Sequence, residues 1–464
     1  MTTTADPVPG GRQGDPEHAI EQAAELAAAG VAGVALSWVD TAGINRVKSV
    51  PVTALERAAT WGAGMSPVFD TFLADDSIVA TDVLGGPDGD LRLYPDLDEL
   101  VPLAGQPGWA WAPVDRITQD GAIHPACTRT LLRHLVSAAA ADGVTVRASV
   151  EIEFALALPG GTAFEPACRG PAYGMTRLVE QSEFSADLLR ALGAEGVEVD
   201  QFHPEYAAGQ YEVSVGALNP VAAADHSVLV RQTIRAVAQR HGLRVSFAPG
   251  VLAGGVGNGG HLHLSAWRDG RNLHAGGDGR LGMTAEAEAL LAGIVEQLPA
   301  LAALLTPSPS SYLRTQPSHW AGVFAAWGHE NREAGVRVIT GSVGHQDRAA
   351  NLEVKCVDLA ANPYLAFAGV LAAGLDGMRR GLRPGSPVSG DPAGLDPAEL
   401  ADRGIRRLPE SLADALVAFE KSGLLRETLG DVLADAVLAV RRGEQARVEH
   451  LTPEGIAEAY RWVY

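Results

Sequence analysis

Several short segments of this chain alternate apolar residues with side chains that bind metals or phosphates, and such alternation demands a sheet with one dry face. In VTVRASVEIEFALAL, Val144, Val146, Ala148, Val150, Ile152 and Phe154 fall on one side, while Glu151 and Glu153 share the other. At about 3.3 Å per residue those two carboxylates lie roughly 7 Å apart. YEVSVG sets Glu212 and Ser214 against Tyr211, Val213 and Val215. HLHLS sets His261, His263 and Ser265 against Leu262 and Leu264, and NLEVKC sets Glu353 and Lys355 against Leu352 and Val354.

Any one polar strand face is ordinarily a solvated one, and solvated faces favour Thr, Lys and Arg in mixed charge. Here Glu and His recur with little cation between them. Carboxylates crowded together raise one another's pKa unless a cation neutralises them, so several acidic strands in one sheet imply bound metal. Oxygen donors with an imidazole and no Cys suit Mg²⁺ or Mn²⁺ better than zinc. HPEYAAGQYE adds Glu205 and Glu212 on either side of a glycine turn. GGVGNGGH, residues 254–261, is a Gly-dense loop leading into the His strand, without the Gly-Lys-Ser/Thr of a P-loop. Arg314 in SSYLR, and Arg332 and Arg337 in HENREAGVR, offer guanidinium forks suited to phosphate oxygens.

Composition narrows the partners. A formal charge of −20 argues against nucleic acid or an anionic membrane. Cys127, Cys168 and Cys356 are scattered, with no CxxC pair, which fits a reducing cytoplasm. No targeting segment is visible. The most apolar helical stretch, Glu286 to Leu305, carries Glu and Pro and reads as a core helix. Residues 1–15 read as a disordered tail rich in Pro and Gly. Residues 16–125 read as a small sheet-rich domain: a helix over His18–Ala29, strands in VAGVALSWVD and RVKSVPV, and further strands near Ile78 and Leu91. Residues 126–464 form a second, α+β domain, in which Arg383–Pro397 is an exposed loop.

The ordered set EIEF, HPEYAAGQYE, GNGGHLHLS, SYLR, NREAGVR and NLEVKCVDLAANPYLAF resembles the glutamine synthetase family over nearly the whole chain. The resemblance implies a β-grasp N-terminal domain and a glutamine synthetase-type catalytic domain with a curved antiparallel sheet and helices. It implies a homododecamer of two stacked hexameric rings, with active sites between neighbouring subunits. Carried over by motif, Glu153, Glu205 and Glu212 correspond to ligands of one metal, and Glu151, His261 and Glu353 to ligands of a second. His263, Ser265 and Arg337 fall on ATP positions. Gly257 falls on the glutamate loop, and Arg314 and Arg332 match arginines that hold glutamate and the transferring phosphoryl group. Asp70 matches an aspartate that binds ammonium and serves as the candidate base, and Tyr173 an aromatic beside that pocket.

The departures bear on the nucleophile. The loop after SYxR carries a closing glutamate in the family, and counting from Arg314 reaches Trp320 instead. Leu73 stands where a serine follows the aspartate, Lys355 where an arginine is usual, and Val256 where the loop asparagine belongs. A pocket so altered is less charged and more apolar than one made for ammonium, unless Glu330 or Glu333 takes over from the missing acid. The expected chemistry is transfer of the ATP γ-phosphoryl to the γ-carboxyl of glutamate, followed by attack of an organic amine, giving a γ-glutamylamide, ADP and phosphate. Glutamine synthetase proper using ammonium, an idle structural or regulatory relative, and a phosphotransferase that releases its phosphorylated product are the alternatives.

Overall fold

The computed structural model describes residues 16–464, so the expected tail at 1–15 lies outside the described residues. After the helix Pro16–Ala28 come β1 (Gly33–Val39), β2 (Asn45–Pro51), β3 (Ala63–Met65), β4 (Leu91–Pro95), β5 (Val101–Pro102) and β6 (Trp109–Thr118). They form a sheet of order β2-β1-β6-β4-β3 with β5 beside β6, and its central pair β1–β6 is parallel. This is the mixed sheet of a β-grasp unit. Its core joins Ala19 and Leu26 of the first helix to Leu36, Leu55, Met65, Leu93 and Ala112. Two expectations change. The segment near Ile78 makes only an isolated bridge to Phe72. The stretch up to Pro125, which its prolines suggest is irregular, instead contains a long, mostly buried strand, WAWAPVDRIT. Proline is tolerated there because the ladder to β1 ends at Pro113 and the ladder to β4 begins at Val114.

The second sheet holds β7 (Thr145–Ala157), β8 (Val199–Pro204), β9 (Gln210–Val215), β10 (Arg244–Ser246), β11 (Leu262–Arg268) and β12 (Arg271–Asn272). After a short β13 (Phe324–Ala325) it continues with β14 (Trp327–His329), β15 (Val336–Ile339) and β16 (Asn351–Val354). The order is β14-β15-β16-β11-β7-β9-β8, antiparallel except for the parallel β14–β15 pair at one edge. Strand β7 changes partner along its length: residues 145–150 pair with β11 and residues 151–155 with β9. That handover curls the sheet around its polar face.

The apolar face of β7 is buried as the alternation requires, with Val146, Ala148, Val150, Ile152 and Phe154 all in the main core. Against it pack the helices Pro220–Arg240 and Thr128–Ala141, and behind these Pro363–Arg380, which in turn packs on Ala285–Leu305. The helix Ala285–Leu305 is long and apolar enough to cross a membrane, but 78% of its most apolar window is buried in the protein, so it is a core helix. Arg383–Pro397 is mostly exposed, as expected, and the chain beyond it is anchored. Val388 and Ile405 are buried with Ala321, Val323 and Phe324, and β13 pairs with β17 (Arg406–Arg407).

The N-terminal unit docks through the turn after β1. Asn362 donates to the carbonyls of Val39 and Asp40 at 3.1 Å, and Arg441 to that of Thr41 at 2.8 Å.

Candidate active site

Strand register assembles the site. Glu153 of β7 faces Glu212 of β9, which faces His203 of β8. Across the handover, His263 of β11 faces Glu353 of β16, which faces Arg337 of β15. Directly opposed residues bring their side chains together, so alternation on each strand becomes a cluster across strands. Two groups of ligand atoms result, each within 4.8 Å of one another: Glu151, His263 and Glu353, and His203, Glu205 and Glu212.

His263 closes the first group, and the expected His261 stands against the same carboxylates, its Nδ1 2.9 Å from Glu151 Oε2 and 3.5 Å from Glu353 Oε1. The other ring nitrogen of His261, Nε2, accepts from Arg314 Nη2 at 3.0 Å. The buried Nε2 of His263 lies 3.1 Å from Glu151 Oε1 without a directed hydrogen bond. Glu153 borders both groups. It sits 3.9 Å from His261, and its Oε2 accepts from the backbone of Gly259 at 2.8 Å and from Gln210 at 3.2 Å.

Electrostatics fit a cation-binding centre. Burial and the charges of Glu153 and Glu212 push Glu205 up to about 7. Burial opposes charge on His263, yet the Glu151 carboxylate beside it lifts it to about 9. A hydrogen bond to Glu212 likewise raises His203 to about 9. In the protein alone, protons and basic side chains compensate this negative field; Lys355 Nζ lies 2.6 Å and Arg337 Nη1 3.0 Å from the Glu353 carboxylate. Oxygen-rich donor sets with an orphaned imidazole nitrogen suit divalent metals.

The glycine loop closes one side. A Cβ on Gly257 would stand 2.1 Å from the Pro249 carbonyl oxygen and 2.7 Å from Arg314 Cβ, so only glycine fits there. Arg314 is buried, and its Nη1 has no partner in the protein, an orphan donor directed to serve a ligand. Ser265 is buried and accepts from Trp267 at 2.9 Å. Tyr173, at φ 55°, hydrogen-bonds Glu205 and lies 6.0 Å from the His203 ring. Trp320 is half exposed at φ 55°, with the Arg332 guanidinium 5.8 Å from its ring and its backbone N–H donating to Glu333 Oε1 at 2.9 Å.

Two residues are not brought to the cluster. Asp70 is 1% exposed, with Arg116 donating to one oxygen at 2.6 Å and His124 Nε2 lying 2.7 Å from the other. Burial alone would raise this carboxyl, but Arg116 and His124 outweigh it and hold the pKa below the usual range. So held, Asp70 is a buried counter-ion within this chain; its expected role as base belongs to the expected site shared with a neighbouring subunit. Leu73 does not line a nucleophile pocket; it is buried against Ala42 and Val440. Sequence reasoning also misses His203. Its signal is present, since His203 and Glu205 repeat the two-residue spacing of the Glu and His pairs on β7 and β11.

Comparison with known proteins agrees with this geometry. Residues 125–460 match the family model of the glutamine synthetase catalytic domain. The chain belongs to the glutamine synthetase family. It is 67% identical over 463 residues, 99% of each chain, to the γ-glutamylpolyamine synthetase GlnA3 of Streptomyces coelicolor. The crystal structure of a glutamine synthase homologue superposes with TM-score 0.84 at 34% identity, covering 94% of this chain and 99% of the other. A GmaS/ADP complex superposes with TM-score 0.81 at 29% identity, covering 93% and 96%.

Proposed function

We propose that this chain ligates glutamate to a polyamine. It is an ATP-dependent ligase that joins the γ-carboxyl of glutamate to an organic amine, releasing ADP and phosphate, and the polyamine class follows the near full-length likeness to a γ-glutamylpolyamine synthetase. The single observation that carries the choice of an organic amine over ammonium is Trp320. An indole lines the pocket beside Arg332 and Glu333, at the position where an acid is expected. An alkyl chain gains about 25 cal/mol per Å² buried against the indole, a contribution that a bare ammonium ion cannot collect.

Activation comes first, because carboxylate oxygen is a poor leaving group. Arg314, with a free buried N–H, and Arg332 are placed to neutralise and orient the glutamate carboxylate and the phosphoryl group passing to it. The amine nitrogen then attacks the acyl phosphate, the C–O bond to phosphate breaks, the proton shed by the nitrogen leaves with the phosphate as HPO4²⁻, and the amide forms. Glu151, His261 and Glu353 would hold one divalent cation, and Glu153, Glu205 and Glu212, with His203 beside them, a second; Mg²⁺ or Mn²⁺ suits these donors. Bound there, the cations supply charge neutralisation for phosphate oxygens. His263, Ser265 and Arg337 remain candidates for the ATP side, and Gly257 and Lys355 for glutamate. The reading extends to an N-terminal unit over residues 16–125, a ring-shaped dodecamer and a cytoplasmic location.

The test compares kcat/KM for ammonium with that for the best of an amine panel, in the parent and in Trp320→Glu. An organic amine is expected to lead by more than about tenfold in the parent, with the margin shrinking in the variant. Ammonium leading in the parent overturns the amine reading.

A further inference from the structure

The pocket beside Trp320 holds a carboxylate that nothing in the protein satisfies. Glu333 is 7% exposed, and its Oε2 is buried without a hydrogen-bond partner, while Oε1 accepts from the Trp320 backbone. A buried carboxylate oxygen left unmatched costs stability, so one kept in a ligand-sized pocket marks a place for a donor from outside. The pocket, of about 340 Å³, is lined by Trp320, Glu330, Asn331, Arg332, Glu333 and Gly390, among others.

The other charges around it are accounted for. Glu330 is paired with Arg337, and Asp391, next to Gly390 in sequence, accepts from Ser318 at 2.6 Å. Lys355 is spent on Glu353. Arg332, the remaining cation, lies 5.8 Å from the Trp320 ring centroid and, in the proposed reaction, would be neutralised by the phosphoryl group. That leaves Glu333 as the uncompensated charge facing the pocket, with an indole next to it.

The wall is built to stay in place. Arg407 donates to the carbonyls of Thr315 and Val323, at 3.2 and 3.3 Å, on either side of the Trp320 loop. The buried cluster of Ala321, Val323, Phe324, Val388 and Ile405 anchors the same loop to segment 383–410. A fixed carboxylate, a fixed aromatic face and a volume of this size suit an alkyl chain ending in an ammonium group.

We propose that Glu333 Oε2 accepts an N–H from the protonated, non-attacking nitrogen of a diamine or polyamine whose methylenes lie along Trp320. One nitrogen attacks the acyl phosphate as the free amine; the distal one stays protonated and is read by Glu333. The inference rests on the amine-ligase reading and adds the residue that separates diamines from monoamines.

The experiment uses 1,4-diaminobutane and n-pentylamine, which match in chain length and differ in the terminal group. Phosphate release with glutamate and ATP gives kcat and KM for both, in the parent, Glu333→Gln and Glu333→Asp. Gln retains an oxygen for the Trp320 N–H, so the loop keeps its tether. The ratio of kcat/KM for diamine over monoamine is expected to fall about 10- to 100-fold in Glu333→Gln, mainly through KM, with partial recovery in Glu333→Asp. A parent that prefers the diamine but a Glu333→Gln ratio within twofold of it overturns this inference alone. So does a parent that prefers n-pentylamine. A parent that prefers ammonium overturns the amine-ligase reading, and this inference with it.

Discussion

Asp70 illustrates how a residue's surroundings decide its role. Its type and its motif suggest a base, but Arg116 and His124 occupy both its oxygens, and Arg116 also donates to the Ala126 carbonyl. Removing one member of such a buried pair leaves the other charge uncompensated, at a cost of about 3–5 kcal/mol. Asp70→Asn is therefore expected to lower the denaturant midpoint for unfolding sharply. The same pair sets a pH dependence. The folded pKa of Asp70 lies below its unfolded value of about 3.9, so the ionised group's contribution is fully present above about pH 4 and lost as pH falls through the folded pKa. Acid unfolding curves should show the parent losing stability there, and Asp70→Asn losing less over the same span. A variant as stable as the parent at pH 7 would contradict the counter-ion role.

At the scale of elements, period-2 alternation makes the polar face legible in the sequence itself, because each strand's ligands must share a side. Glu151, Glu153, Glu212, His263 and Glu353 all follow from it. What alternation cannot give is register: pairing of β11 with β16 sets His263 opposite Glu353, while His261, two residues earlier on the same face, reaches Glu151 at 2.9 Å and Glu353 at 3.5 Å. The burial of Leu73 escapes the sequence for a related reason, since local sequence does not reveal that Gly443 of the helix Gly423–Val448 leaves the space it fills. The sheet's curl also has a consequence for metal. It draws Glu153, Glu205 and Glu212 close enough to raise Glu205, a repulsion that bound cations relieve. Exhaustive treatment with chelator should abolish turnover and lower Tm, and Mg²⁺ or Mn²⁺ at about 100 times its Kd should return about 2.7 kcal/mol. Turnover persisting in chelator would remove the metal centre from the mechanism.

Across the whole molecule, the two units are held by a polar junction rather than by apolar contact alone. Arg129, 4% exposed, lies 2.9 Å from Asp96 and 3.3 Å from Asp115 in the N-terminal unit, and 2.8 Å from Asp225 on the helix Pro220–Arg240. Tyr364 donates to the same Asp225 at 2.6 Å, tying in the helix Pro363–Arg380, whose N-cap Asn362 already grips the turn after β1. One guanidinium thus serves carboxylates from three separate elements, which its planar fork of donors permits and a single ammonium does not. Arg129→Ala leaves Asp225 buried and short of a cation, and is expected to cost about 3–5 kcal/mol. Arg129→Lys keeps the charge but not the fork, so it should recover only part of that loss. Denaturant midpoints for parent, Lys and Ala variants should fall in that order, and susceptibility to limited proteolysis near residues 119–127 should rise in the reverse order. A Lys variant as stable as the parent would mean that charge alone, rather than the bridging geometry, holds the N-terminal unit in place.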